Sequence, residues 1–350
     1  MLDPLTKEDN FKKIESTPSI LLFGTLIDNP DITIVIPSYG LNHFLNNSLD
    51  SIINQKENDF HVQIIISDDK EYLSTNDNQL LSFLKKKDLS NLAYFHVSGK
   101  ISQNDNFNRC ISLAKTEYVV MNHDDDILAK DYLSNLQKIM PFLKSHPKIG
   151  MVASNVSNFK NGYLEKKSSK PAIFKIRKGA ISFIGVTMTG IPSCGFLVNR
   201  KLFLDTGGFN KDFYSSGDAF PAGIMIQNNI EVYRFADITG YYRISENTSL
   251  KLNICQGFIN QDYLFYKSWQ KQGHLFRKLY MGFYENYVYS KNILGKISMF
   301  SKLNSEITIE SLDFRKKFKI YSKFGFHNFW HAVNYRLMRL IDKISTKRFK

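Results

Sequence analysis

Long hydrophobic runs, paired cysteines and glycine-rich phosphate loops are all missing from this 350-residue sequence. The longest apolar stretch, SILLFGTLI at 19–27, falls well short of the ~18 consecutive apolar residues that a membrane-crossing helix needs. The opening MLDPLTKEDNFKK mixes acids with lysines and has no apolar centre, so no secretory signal is expected and the cytosol is the expected compartment. Cys110, Cys194 and Cys255 are odd in number, far apart and form no C-x-x-C pair, which argues against a disulfide framework or a zinc site. Each is expected to be a small buried hydrophobe. No G-x-G-x-x-G follows the first buried-strand pattern, and no G-x-x-x-x-G-K-[ST] occurs anywhere. A dinucleotide fingerprint and a P-loop are thereby excluded. Any nucleotide would have to be held by carboxylates, a metal and loop backbone.

What is present is enough apolar material, 43% of the chain, to bury a full core. The net charge of +13 is unevenly spread: residues 1–250 carry 27 Lys and Arg against 27 Asp and Glu, whereas residues 251–350 carry 19 against 6. A neutral catalytic or binding body thus joins a basic segment suited to an anionic surface, either a membrane or a nucleic acid.

From residue 31 the pattern turns regular. ITIVIP (32–37), VQIIIS (62–67), NLAYFHV (91–97) and YVVMN (118–122) are short apolar runs rich in β-branched and aromatic residues, as expected of strands covered on both faces. Between and after them lie segments of helical periodicity: HFLNNSLDSIINQ; DNQLLSFLKKK, with Asp77 near its start; NDNFNRCISLAK; and DYLSNLQKIMPFLK, with a possible break at Pro141. Four alternations in 115 residues predict a parallel sheet flanked by helices, with ligands bound outside the carboxyl ends of the strands. Asp68-Asp69 and Asp124-Asp125-Asp126 both fall at such ends. Two carboxylates ~4 Å apart repel by roughly 4 kcal/mol even at an effective dielectric near 20. The triple acid of YVVMNHDDDIL therefore calls for either water or a bound cation.

Beyond residue 149 the rhythm becomes irregular, through a basic loop at 161–170, SCGFLVNRKLFLDTGGFN, FYSSGDAFPAGI and VYRFADITGYYRISENTSL. Near the end, FWHAVNYRLMRLIDKISTK places Trp330, Val333, Leu337, Leu340, Ile341 and Ile344 on one helical stripe, with Arg336, Arg339, Lys343 and Lys347 elsewhere. Such a helix suits an anionic bilayer surface, and equally suits docking on the first domain with its basic face in water.

TIVIPSYG, IIISDD and NFNRCISLAKTEYVVMNHDDDIL, in that order and spacing, resemble the nucleotide-sugar-binding half of family 2 glycosyltransferases. The resemblance covers about residues 31–145 well, and continues loosely through LFLDTGGFN, SSGDAF and YYRISENTS. It implies a GT-A fold, an α/β Rossmann-like and mostly parallel sheet flanked by helices, here with a C-terminal basic helical extension. The implied organisation is a lead-in at 1–30, a catalytic domain at 31–250 split near 145 into donor and acceptor halves, and a basic region at 251–350. The implied chemistry is inverting transfer from a nucleotide sugar, a UDP-sugar first, to a hydroxyl of a glycan or lipid-linked glycan in surface polysaccharide synthesis. Mn2+ or Mg2+ is implied as cofactor and the cytosolic membrane face as location, with no nucleic acid as partner.

Residue by residue, Pro37, Ser38 and Tyr39 match the end of the first strand, where base and ribose sit; Asp69 matches the acid that receives the base N–H, with Asp68 beside it. Lys100 falls near where a basic residue faces the base or diphosphate, though a solvated lysine fits as well. Asn108 reads as structural. In the metal motif, Asp125 takes the place of the ligand acid and Asp124 faces the ribose or a metal-bound water. His123 stands where relatives usually have the first aspartate, a departure that leaves the ribose contact open. Asp218 of SSGDAF matches the general base, with Asp205 and Asp212 as weaker rivals. Ser245 replaces a histidine that relatives often carry near the metal, so no late metal ligand is expected. Two other readings compete. A nucleotidyltransferase would release pyrophosphate rather than a nucleoside diphosphate, and lacks support because no glycine-rich basic loop follows the first strand. A non-catalytic scaffold or RNA-binding module would use the basic tail, leaving the neutral 250 residues without a purpose.

Overall fold

The computed structural model describes residues 7–74, 77–97, 99, 101–160, 172–176, 191–213, 218, 220–244 and 251–271, with short pieces at 297–298, 301–302, 304–307 and 346–348. Lys100, Ser245, the loop at 161–170 and the basic stripe from Trp330 to Ile344 lie outside the described residues.

In chain order the elements begin with β1 (Ser19–Gly24), β2 (Ile32–Ser38), α1 (Leu45–Ile53), β3 (Val62–Asp68), α2 (Gln79–Lys87), β4 (Leu92–Val97), α3 (Gln103–Leu113) and β5 (Tyr118–Met121). They continue with β6 (Ile127–Leu128), α4 (Tyr132–Ser145), β7 (Ile149–Ala153), β8 (Val156–Phe159), β9 (Ala172–Ile176), β10 (Phe196–Asn199) and α5 (Arg200–Asp205). The remainder are α6 (Phe220–Gln227), β11 (Glu231–Phe235), β12 (Gly240–Arg243), α7 (Leu252–Lys271) and β13 (Thr346–Arg348).

Among the described residues, ten strands form one sheet in the order β1-β4-β3-β2-β5-β10-β7-β11-β9-β13. The expected parallel block is there: β2 pairs in parallel with both β3 and β5, and β3 with β4. The chain runs outward from β2 through β3 to β4, then returns to β5 on the other side of β2. That reversal of strand order opens a crevice at the carboxyl ends of β2 and β5, where open α/β sheets bind ligands.

The apolar runs are continuous because the sheet is covered on both faces. Ile34, Ile36, Ile64 and Ile66 pack on the side of α1, α2 and α4, while Val35, Ile65, Val119 and Met121 pack on the side of α3, α5 and α6. The polar lead-in contains a strand: β1 pairs antiparallel with β4 and caps the sheet edge. Its entry is tied down by Arg109 of α3, which donates to Ile14 O, Thr17 Oγ1 and Ser19 Oγ at 2.8–3.0 Å.

Local signals account for most boundaries. Asn78, rather than Asp77, caps α2 by accepting from Leu81 N, and Ser102 with Asp105 forms a full capping box on α3. Pro141 lies inside α4 without ending it. The later half is mixed, with β10 antiparallel between β5 and β7, and a small second sheet, β6-β12-β8, starts with β6 directly after the acidic turn. No helix among the described residues is long and apolar enough to cross a membrane.

Candidate active site

The crevice at the strand ends is a cavity of about 560 Å3. Pro37, Ser38, Tyr39 and Asp69 line it on one side, and His123, Asp124, Asp125, Ser193 and Asp218 on the other. Residues 87 and 95 positions apart in sequence, Ser38 to Asp125 and His123 to Asp218, thus face one space.

On the first side, Ser38 Oγ lies 2.9 Å from both Asp124 Oδ2 and Gly40 O, so its single proton serves one or the other. Tyr39 is 71% exposed, a free ring at the rim rather than a core-edge aromatic. Asp69 is held by Asn106, whose Nδ2 lies 3.1 Å from Asp69 Oδ1. Burial, and then the neighbouring Asp68, raise the Asp69 carboxyl to about 6. Asp68 does not line the cavity. It is fully buried and accepts hydrogen bonds from Gly40 N, Lys70 N, Tyr72 Oη and Tyr94 Oη at 2.8–3.0 Å, so the direct nucleotide contact expected of it is replaced by an internal role.

On the acidic side, β5 ends at Met121, and Asn122 turns the chain by donating from its backbone to Val35 O at 3.0 Å and from Nδ2 to Ser48 Oγ at 3.0 Å. Ser48 in turn donates to His123 O at 2.8 Å. The His123 ring meets Phe107 edge-on, with centroids 5.0 Å apart. Asp124 is raised to about 7, first by burial and then by Asp125. Asp126 points away, is buried, and is held well above the ordinary carboxylate range by burial and by Asp125. It accepts from Arg243 N at 3.0 Å. The Arg243 guanidinium lies over Phe44 and Phe159, 3.9 and 4.5 Å from the ring centroids, and its Nε donates to Asp125 O at 2.9 Å. Arg243 therefore anchors the turn from behind and leaves the Asp124 and Asp125 carboxylates facing the cavity.

The donor set suits a hard cation in part. Burial and the adjacent Asp125 raise the Asp124 carboxyl, and a divalent ion bound between the two would relieve that cost. Among the described residues no three His, Cys, Asp or Glu side chains converge as a complete cage. A cation at Asp125 would take its other ligands from water and substrate oxygens.

Asp218 is half-buried and its carboxyl is raised by burial, opposed by His123 and by a hydrogen bond from Ser193. Neither Asp205, exposed and paired with Lys201, nor Asp212 lines the cavity. Asn108 holds Phe209 through two bonds of 2.8 Å, the structural role expected of it. The sequence reading missed Ile101, Gln103, Asn104, Asn106, Phe107, Ser193, Tyr242, Ile254 and Phe258, all of which line the cavity. Ile254 and Phe258 sit four apart on α7, a spacing visible in the sequence but lying in the basic segment beyond residue 250.

A mixed sheet with a parallel block, covered faces, a switch-point crevice and paired acids at its strand ends fits the GT-A architecture of glycosyltransferases. Residues 33–207, half of the chain, match the model of Glycosyl transferase family 2, and the protein belongs to that family. A GalNAc(5)-diNAcBac-PP-undecaprenol beta-1,3-glucosyltransferase of Campylobacter jejuni is 26% identical over 224 residues, 64% of this chain and 68% of that protein. An uncharacterized glycosyltransferase of Mycoplasma genitalium is 30% identical over 110 residues, and the match spans only 36% of its length. Among solved structures, a mannosyltransferase of Pyrobaculum calidifontis in complex with GDP-Man and Mn2+ shares the fold, with a TM-score of 0.52 at 11% identity, over 95% of this chain and 92% of that one.

Proposed function

We propose that this glycosyltransferase moves a sugar from a nucleotide sugar, a UDP-sugar first among candidates, to a hydroxyl of a glycan or lipid-linked glycan with inversion at the anomeric carbon. The observation that carries the reading is one cavity lined both by Ser38, Tyr39 and Asp69 and by Asp124, Asp125 and Asp218. In this reading Asp69 receives the base N–H, Tyr39 covers the base and Pro37 shapes the floor. Asp124 faces the ribose. Asp125 holds Mn2+ or Mg2+, which when bound neutralises charge on the diphosphate.

Asp218 takes the proton of the acceptor hydroxyl as that oxygen bonds to the anomeric carbon and the nucleoside diphosphate departs. A raised carboxyl is the better base, provided it is ionised. His123 and Ser193 favour its ionised form, which fits that role. The Campylobacter relative's name, with its undecaprenol-linked acceptor, supports a lipid-linked acceptor here too, and a place at the cytosolic membrane face in surface polysaccharide synthesis.

The test is turnover with UDP-, GDP- and dTDP-sugars, each with and without Mn2+, read by the phosphorus product. Free nucleoside diphosphate from wild type, abolished in Asp125→Ala, is the expected result. Release of pyrophosphate would favour the nucleotidyltransferase reading, and metal-dependent transfer retained in Asp125→Ala would remove the metal assignment.

A further inference from the structure

Asp68 is a fully buried carboxylate whose four neighbours are all neutral donors. Oδ1 accepts from Gly40 N at 2.8 Å and Lys70 N at 3.0 Å; Oδ2 accepts from Tyr72 Oη and Tyr94 Oη, both at 2.8 Å. Hydrogen bonds to a buried charge are stronger than neutral ones, and losing one leaves the charge underpaid.

The four donors come from three places that matter to the cavity. Gly40 closes the turn that presents Tyr39, with φ of +75°, and a Cβ there would lie 2.4 Å from Lys70 Cδ. Lys70 follows Asp69 directly, so the two turns meet at this carboxylate. Tyr94 stands on β4 and accepts from Asn78 Nδ2 at 2.8 Å, which links the node to the cap of α2. Asp69 is gripped from the other side by its N–H to Ser38 O at 3.4 Å and by Asn106. Burial and the adjacent carboxylate push both phenols above the ordinary tyrosine range, so they remain donors at any physiological pH.

We propose that Asp68 is a positioning residue for donor recognition: without touching ligand, it locks the Tyr39–Gly40 turn to the Asp69–Lys70 turn and so fixes the gap into which the nucleotide base enters. The inference rests on the nucleotide-sugar reading of the cavity. It places the node's effect in donor affinity rather than in the transfer step, because neither Asp125 nor Asp218 is bonded to it.

Equilibrium binding of UDP, GDP and dTDP, with donor KM and kcat, tests this in wild type, Asp68→Asn, Tyr94→Phe and the core control Leu84→Ala. Asp68→Asn keeps the shape but presents an amide to two phenols and should weaken nucleotide binding and raise donor KM by about tenfold or more. At saturating donor, kcat should stay within about threefold. Tyr94→Phe deletes one donor, retains the fold and should raise KM by about threefold to tenfold. Leu84→Ala should lower Tm with KM unchanged. Unchanged KM in both Asp68→Asn and Tyr94→Phe, or an equal rise in Leu84→Ala, would overturn the proposal while leaving the donor reading intact. Failure of wild type to bind any of the three nucleotides would overturn both.

Discussion

Asp69 and Asp218 carry the two predictions that single residues allow. In the proposed reading Asp69 accepts a base N–H most strongly when ionised, and burial raises its carboxyl to about 6. Nucleotide affinity should therefore be level above neutrality and fall, by up to about tenfold per pH unit, once the pH drops below 6, as calorimetric titration would read. The sign for folding is opposite. The folded-state value lies above the ordinary 3.8, so the folded chain takes up the proton more readily than the unfolded chain. The cost of the buried charge, present above pH 6, is relieved between about 6 and 4. For Asp218→Asn, transfer should drop by about 100-fold or more with nucleotide affinity unchanged, as donor titration and turnover would show together. An active variant would remove Asp218 as the base. The motif residues that face the cavity were legible through the order and spacing of the three motifs; acids at strand ends alone decide little, since Asp68 and Asp126 stand at the same ends and are buried with internal partners. His123 was legible as a departure, but its neighbours were not: contact with Phe107 and proximity to Asp218 join three separate segments. Ser193, in a loop, carried no periodicity to betray it.

At the level of elements, the strands that were easiest to read are those buried on both faces, because with neither face in water every position favours an apolar residue. β1 was missed since an edge strand keeps part of its surface in water; Ile20 is 51% exposed. The small sheet of β6, β12 and β8 was illegible because strands of two to four residues leave no pattern. The antiparallel insertion of β10 between β5 and β7 depends on pairing across the chain, which no local window contains. Pro141 was over-read as a break: the helix around it buries Leu136, Ile139, Met140 and Leu143, and this packing outweighs one lost hydrogen bond. On α7, Ile254 and Phe258 line the cavity. Phe258→Ala should raise acceptor KM by about threefold to tenfold with nucleotide affinity unaltered; a selective loss of nucleotide binding would reassign that wall to the donor.

For the whole molecule, charge separates body from tail. The balanced first 250 residues and the excess of 13 positive charges in the last hundred predict attraction to anionic bilayers that salt weakens. Replacing Arg336, Arg339 and Lys343 together with glutamine should reduce co-sedimentation with vesicles containing anionic lipid by several-fold, an effect on the order of 1 kcal/mol per charge. Unchanged partitioning would return this segment to packing against the body. β13 already ties residues 346–348 to β9 at the far edge of the large sheet, so substitution of charges is the cleaner test than deletion of the tail.

The proposed function rests most heavily on nucleotide recognition through Asp69 and its surroundings. Direct binding of UDP-, GDP- and dTDP-sugars in the presence of Mn2+ to wild type and to Asp69→Asn tests this most directly. At least one donor should bind wild type, and Asp69→Asn should weaken that binding by about tenfold or more with Tm nearly unchanged. Absence of binding by every donor, or equal affinity in the variant, would contradict it.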